Sequence, residues 1–231
     1  MRKIDYKETT RIFESPNVRL IETISKWFLI ISIFFALTVF LINMVYEVAP
    51  VSGASMENTL YGDELNDTVV VNVFLKYGNG DIVIIDRSDN ATKKTFHIKR
   101  IVGMPGDILD IVDKDGHFYL ERNGEIVSER YIKARRDMAT TAKNFQNFKK
   151  DIANARFFNE DGKLVVPKNM VYVLGDNRGN STDSSINGPY SMKDVVGKVQ
   201  YVVPKGVSVM QYLTKNFFRL HIEAAKVYEN V

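Results

Sequence analysis

Trp27 to Tyr46 reads WFLIISIFFALTVFLINMVY, twenty residues without a charge, bounded by Lys26 and Glu47. A helix of that length rises about 30 Å, the thickness of a bilayer's hydrocarbon core. Trp27 and Tyr46 end the run, and such amphipathic aromatics favour the membrane–water interface. A buried core helix normally keeps a polar stripe, which this run lacks. A cleaved signal peptide has a shorter apolar stretch nearer the N-terminus. The run therefore reads as a single transmembrane helix, 27–46, preceded by an N-terminal segment, 1–26. Arg2, Lys3, Lys7, Arg11, Arg19 and Lys26 precede it, and no Lys or Arg follows until Lys76. The positive-inside rule places residues 1–26 in the cytoplasm and residues from 47 onward outside.

The rest, 47–206, reads as a β-rich domain. Short apolar or alternating runs recur at Val69–Phe74, Ile82–Asp86, Thr95–Val102, Ile108–Val112, Phe118–Glu121, Val171–Leu174 and Val195–Val203. Gly, Asn and Asp clusters separate them, as expected of a mainly antiparallel domain. Lys133 to Arg156 lacks Gly and Pro and is rich in Ala, Lys, Arg and Gln, so a helical insertion is expected at 133–156. The tail 207–231 has a helical apolar pattern, Met210, Leu213, Phe217, Leu220 and Ala224, suited to packing on the domain or lying on a membrane.

Composition removes several chemistries. The chain has no cysteine, so disulfides, zinc–thiolate sites and a cysteine nucleophile are excluded. A net charge of +3 in 231 residues, without a recurring basic-aromatic motif, gives no reason to expect a nucleic-acid partner. Neither clustered metal ligands nor a phosphate loop is present, so no metal or other cofactor is expected.

Four segments carry the candidate chemistry: Ser52-Gly-Ala-Ser-Met-Glu-Asn-Thr-Leu60, Gly80-Asp-Ile-Val-Ile84, His97-Ile-Lys-Arg-Ile-Val-Gly-Met-Pro-Gly-Asp107 and Gly175-Asp-Asn-Arg-Gly-Asn-Ser-Thr-Asp-Ser184. A serine nucleophile needs a base within hydrogen-bond reach. Only three histidines, His97, His117 and His221, are available for that role. A lysine made neutral by burial can replace one. Strand alternation puts Lys99 on one face with Thr95, His97 and Ile101. Each residue has a plainer reading. A lysine in a strand is normally a solvated edge charge, and serine loops with glycine are common. Gly53-x-Ser55 matches only half of the hydrolase elbow, since Glu57 stands where glycine belongs. Asp176 and Arg178 also fit a surface ion pair in a turn. Met56 fits a substrate groove, a lipid contact or core filling.

Together and in this order, the segments resemble the bacterial type I signal peptidases, over the span and nearly all of 50–200. The resemblance implies a β-rich fold of coiled antiparallel sheets and a Ser/Lys serine endopeptidase. It would act as a monomer, cutting signal peptides from exported preproteins at the outer face of the cytoplasmic membrane, with the lipid bilayer as its other partner. It matches Ser55 to the nucleophile and Lys99 to the general base. Ser181 and Asp183 match the residues that orient the lysine. Gly53 and Met56 fall in the substrate and oxyanion region. Gly80, Asp81, Arg100, Gly175, Asp176, Asn177 and Arg178 match framework positions. The sequence departs from the family pattern at Ala54, Asn58, Gly179 and Ser185, and Gly179 and Ser185 remove one salt bridge of the relatives. Two rivals are a Ser-His-Asp hydrolase using His97 or His117, and an inactive membrane-tethered β domain that binds exported chains.

Overall fold

The structure, a computed structural model, describes residues 16–57, 59–62, 67–88, 95–132, 138–212 and 215. It comprises two compact units, residues 1–45 and 46–231.

The described part of the first unit is one helix, α1, Pro16–Val45. Proline suits the first helical position because its missing N–H is unpaired there anyway. The helix starts eleven residues before Trp27 and ends before Tyr46, so its limits differ from those of the uncharged run. The difference is physical: a helix continues through Arg19, Glu22 and Lys26, whereas only the uncharged stretch suits hydrocarbon. Along that stretch Trp27, Phe28, Phe34 and Phe35 are 62–73% exposed, so protein does not cover them. Thr38 Oγ1 and Asn43 Nδ2 donate back to the carbonyls of Phe34 and Val39. These two polar side chains are thus satisfied within the helix, as a non-aqueous environment demands.

The second unit is mainly β. Its larger sheet contains β1 (Tyr46–Pro50), β2 (Thr68–Asn72), β3 (Ile82–Asp86), β4 (Phe96–Gly103), β9 (Met170–Leu174), β10 (Tyr190–Ser191) and β11 (Val195–Val203). Its order is β1-β2-β11-β3-β4-β9-β10, with every neighbouring pair antiparallel. Register shifts within β4 and β11 mark bulges, which bend strands and increase twist. The smaller sheet runs β7-β6-β5-β8, from β5 (Ile108–Lys114), β6 (His117–Arg122), β7 (Glu125–Ile126) and β8 (Leu164–Val165). Asp115-Gly116 and Asn123-Gly124 close its two hairpins with φ positive at both residues, the tight-turn geometry that matches strand twist.

Alternation divides the core. Val51, Met56, Leu60, Val69, Val71 and Ile84 form one buried cluster, while Val83, Ile85, Ile101, Val171, Val173 and Tyr190 form another. A third cluster joins the smaller sheet to Tyr172 and Leu174 of β9 and to helix α2, Met138–Lys150. Met138, Ala142, Phe145 and Phe148 are its buried stripe. A 3₁₀ segment, Ile152–Phe157, follows. The expected helical insertion is thus an α-helix and a 3₁₀ turn over 138–157, and residues 133–137 lie outside the described residues. Of the tail, a helical turn begins at Val209, with Tyr212 N–H donating to the Ser208 carbonyl. Leu213, Phe217, Leu220 and Ala224 lie outside the described residues, as do His221 and Asn58.

Candidate active site

The serine loop is pinned from below. Met56, 1% exposed, and Leu60, fully buried, sink into the core. The Glu57 amide donates to the Ala54 carbonyl and the Leu60 amide to the Met56 carbonyl, making a tight helical turn with Ser55 at its start. Gly53 enters that turn with φ +74°, a left-handed conformation open to glycine. Gly62 lies against it: a Cβ there would come within 2.6 Å of the Gly53 carbonyl oxygen.

Strand β4 delivers the second group. Lys99 is 4% exposed, and its Nζ lies 2.7 Å from Ser55 Oγ and 3.0 Å from the Ile98 carbonyl oxygen, donating to both. No carboxylate bonds to it among the described residues. Burial pushes the amine below the ordinary lysine value, and the more distant charges of Asp183 and Asp176 oppose that shift. A groove of about 660 Å³ opens over the pair. Its walls are Ala49 to Met56, Ile84, Thr95 to Lys99, Asn180 and Thr182. On the side away from β3, β4 pairs with β9 only from Arg100 onward, so Phe96 to Lys99 face the groove without a described neighbouring strand.

The segment 175–185 forms the back wall. The Asn177 amide donates to the Ser55 carbonyl and its Nδ2 to the Ala54 carbonyl, at 3.1 and 3.0 Å. Gly175 permits this approach, because a Cβ there would stand 2.5 Å from the Ser55 carbonyl oxygen and 2.3 Å from Ser181 Oγ. Asp183 accepts from the Gly175 amide and from the amide and hydroxyl of Ser185. Ser185 thus gives Asp183 a neutral hydrogen-bond partner.

Asp176 and Arg178 do not form a surface ion pair with each other. Both are buried, with different partners. Arg100 grips Asp176 through Nε and Nη2 at 2.9 and 2.6 Å, and Thr59 Oγ1 donates to the same carboxylate. Arg100 Nη1 reaches the Gly80 carbonyl, tying the Gly80-Asp81 turn to this wall. Asp81 accepts from the Gly78 amide and pairs with Lys198. Arg178 donates to the Gly175 carbonyl and pairs with Glu129.

The structure brings together Ser55, Lys99, Gly53, Met56 and the 175–183 segment. It joins Asp183 to Lys99 only through charge. Ser181 Oγ is buried beside Gly175 without a hydrogen-bond partner among the described residues. His97 lines the groove, yet its buried Nδ1 has no partner among the described residues, and burial followed by the Lys99 and Arg87 charges holds it below the ordinary histidine value. His117 sits at the exposed start of β6. Neither histidine is bonded to Ser55 among the described residues. Nor does any group of three or more His, Asp or Glu gather there in a way that could hold a metal ion. Sequence reasoning missed Thr59, Gly62, Glu129 and Tyr131. Their roles depend on contacts with residues distant in the chain, and no local pattern marks them.

A family model for signal peptidase, peptidase S26, matches residues 24–204. The chain is 32% identical to signal peptidase I P of Bacillus subtilis subsp. natto over 170 residues, 71% of this chain and 80% of that protein. It is 31% identical to signal peptidase I S of Bacillus subtilis strain 168 over 194 residues, 82% of this chain and 94% of that protein. A solved signal peptidase I structure from Enterococcus faecalis V583 is also similar, at 24% identity and a TM-score of 0.35, covering 54% of this chain and 97% of that one. With the family model covering most of its length, this chain belongs to the signal peptidase family, peptidase S26.

Proposed function

We propose that this chain is a signal peptidase I, a serine endopeptidase that removes signal peptides from exported preproteins, with Ser55 as nucleophile and Lys99 as general base. The supporting observation is a buried lysine whose Nζ meets a groove-lining serine hydroxyl at 2.7 Å, with no carboxylate bonded to it among the described residues. Lysine near its ordinary pKa of about 10.4 is almost wholly protonated at pH 7 and cannot accept a proton. Burial lowers that value toward the range where a base works. Ser55 Oγ attacks the scissile carbonyl as its proton passes to Lys99 Nζ. Lys99 then protonates the departing amine, leaving an acyl-enzyme on Ser55. Water next gives a proton to Nζ and attacks the ester; the C–Oγ bond breaks, Lys99 returns that proton to Ser55 Oγ, and the signal peptide leaves as its carboxylate. The Ser55 amide is available to the developing oxyanion.

An extended substrate suits the groove. Phe96 to Ile98 offer an unpaired strand edge, and β1 is itself an edge strand, so backbone pairing can hold a peptide while small apolar walls admit small side chains. Ala49, Val51, Ala54, Ile84 and Ile98 supply those walls, favouring alanine or glycine near the cut.

Within the same reading, 27–46 anchors the enzyme, 1–26 is cytoplasmic, and 47–206 is the extracytoplasmic catalytic domain, followed by the tail 207–231. The charge asymmetry around the span supports this orientation. Protease added to intact protoplasts should digest the chain beyond Glu47, and protection would reverse the topology. The decisive assay is cleavage of a preprotein by detergent-solubilised full-length protein. Wild type should cleave, whereas Ser55→Ala and Lys99→Ala should not. Its kcat/KM should rise with pH along one ionisation below 10. Activity in Lys99→Ala, with loss in His97→Ala, would transfer the base to His97.

A further inference from the structure

Arg178 is among the largest side chains in this protein that are wholly buried. Its guanidinium holds the back wall directly, with Nε donating to the Gly175 carbonyl at 3.0 Å. Gly175 in turn lies against the Ser55 carbonyl and Ser181. The counter-charge comes from outside the four motif segments. Glu129, in the stretch between β7 and α2, receives Nη1 on one carboxylate oxygen at 3.1 Å and Nη2 on the other, and its side chain is only 8% exposed. The Tyr131 hydroxyl donates to Glu129 Oε1 at 2.9 Å, while the Tyr131 ring carries the Arg100 guanidinium 3.9 Å from its centroid. The stretch 129–131 thus touches both arginines of the back wall.

We propose that Glu129 is a positioning residue of the active site, neutralising Arg178 so that the 175–183 segment holds Ser55 in register and the Asp183 charge remains directed at Lys99. The inference rests on Ser55 and Lys99 being the reactive pair.

The charge balance gives it a sign. Lys99 senses Asp183 and Asp176 from the back wall and His97 from its own strand, and bonds to the Ser55 hydroxyl of the serine loop, while Arg100, the next residue of β4, is taken up by Asp176. Glu129 faces Arg178 and Tyr131, and Arg178 Nη1 also donates to the Met138 sulfur. Arg178 senses Asp183 as well as Glu129. With Glu129 neutral, the Arg178 charge is uncompensated and offsets Asp183. The protonated form of Lys99 then loses support, and its proton leaves at lower pH. Mere loosening of the wall does the opposite: water reaches Lys99, favours the ammonium and moves the ionisation upward.

The test is the pH profile of kcat/KM for preprotein cleavage by full-length protein in detergent, comparing wild type, Glu129→Gln and the double variant Glu129→Gln/Arg178→Met. The single variant should lower kcat about 10- to 100-fold through misplacement of the serine. Its acid limb should move down by roughly half a pH unit or more. The double variant carries no unpaired buried charge, so its limb should return toward the wild-type position while kcat stays about tenfold or more below wild type, since the Gly175 contact is gone. A limb that is unmoved or raised in Glu129→Gln overturns the proposal. If that variant fails to fold, wild-type kcat in the double variant overturns it instead. Failure of the underlying reading looks different, because wild type itself would not cleave or Lys99→Ala would.

Discussion

Lys99 and Arg178 are both buried basic side chains, 4% and 2% exposed, yet their surroundings differ in kind. Arg178 meets a carboxylate with two of its nitrogens and a carbonyl with the third. Arg100 is held likewise by Asp176 and Gly80. Among the described residues, Lys99 meets only a hydroxyl and a carbonyl oxygen. The paired arginines keep their charge and act as rivets. The unpaired lysine is pushed toward neutrality. One small volume therefore contains both uses of a buried base, and the position of the carboxylates separates them.

The strongest way to break this contrast is to make Lys99 resemble its neighbours. Lys99→Arg keeps a cation that stays protonated at any usable pH. Cleavage should fall by about 10⁴-fold or more, a barrier of roughly 5.5 kcal/mol, and measurable turnover would remove Lys99 from the mechanism. The converse change acts on stability. Arg178→Ala strands Glu129 without its partner, and such an uncompensated buried charge costs about 3–5 kcal/mol. Denaturant titration of the full-length protein in detergent should show that loss, and an unchanged midpoint would mean the pair is solvated.

Gly175 lies between the two regions. Gly175→Ala forces a methyl group against the Ser55 carbonyl and Ser181, and overpacking of this kind costs roughly 1–3 kcal/mol. We expect kcat to fall about 10- to 100-fold with KM little changed, as checked by steady-state assay. The smallest expected effect is a gain. The folded-state pKa of Lys99 lies below its unfolded value, so holding the amine protonated opposes folding at neutral pH. That penalty fades as pH rises through the folded and then the unfolded pKa. Lys99→Met should therefore stabilise the inactive protein by about 1 kcal/mol near pH 6–7, with the gain shrinking toward pH 10. A constant gain across that range would trace it to packing instead.

Much of the domain was legible because alternation and turn chemistry are local. Ile82–Asp86 and Val195–Val203 match β3 and β11 residue for residue, and the other expected strands differ at their ends by one or two residues. β1 escaped notice because Tyr46–Pro50 adjoins the apolar run, and its partner strand begins only at Thr68. Two-residue strands such as β8 and β10 have no period to detect. At the site, Ser55 and Lys99 could be singled out only by the joint pattern of motifs. Glu129 could not, because nothing around Ser128-Glu-Arg-Tyr131 distinguishes a buried counter-ion from an ordinary loop acid. Asp176 misled for a related reason: its neighbour Arg178 looks like its partner, whereas Arg100, 76 positions away, occupies that place.

The Asn177 contacts to Ala54 and Ser55 also bear on when the enzyme becomes able to act. Ser55 and Lys99 are synthesised early, but the amide groups that fix the serine loop arrive more than a hundred residues later. A growing chain carries both proposed reactive groups long before it has the wall that aligns them. Its own N-terminal apolar helix, chemically akin to the segments it is proposed to release from other chains, thus enters the membrane while the protease is still unassembled. Late synthesis of the 175–185 wall is by itself enough to leave Ser55 and Lys99 unaligned during that interval.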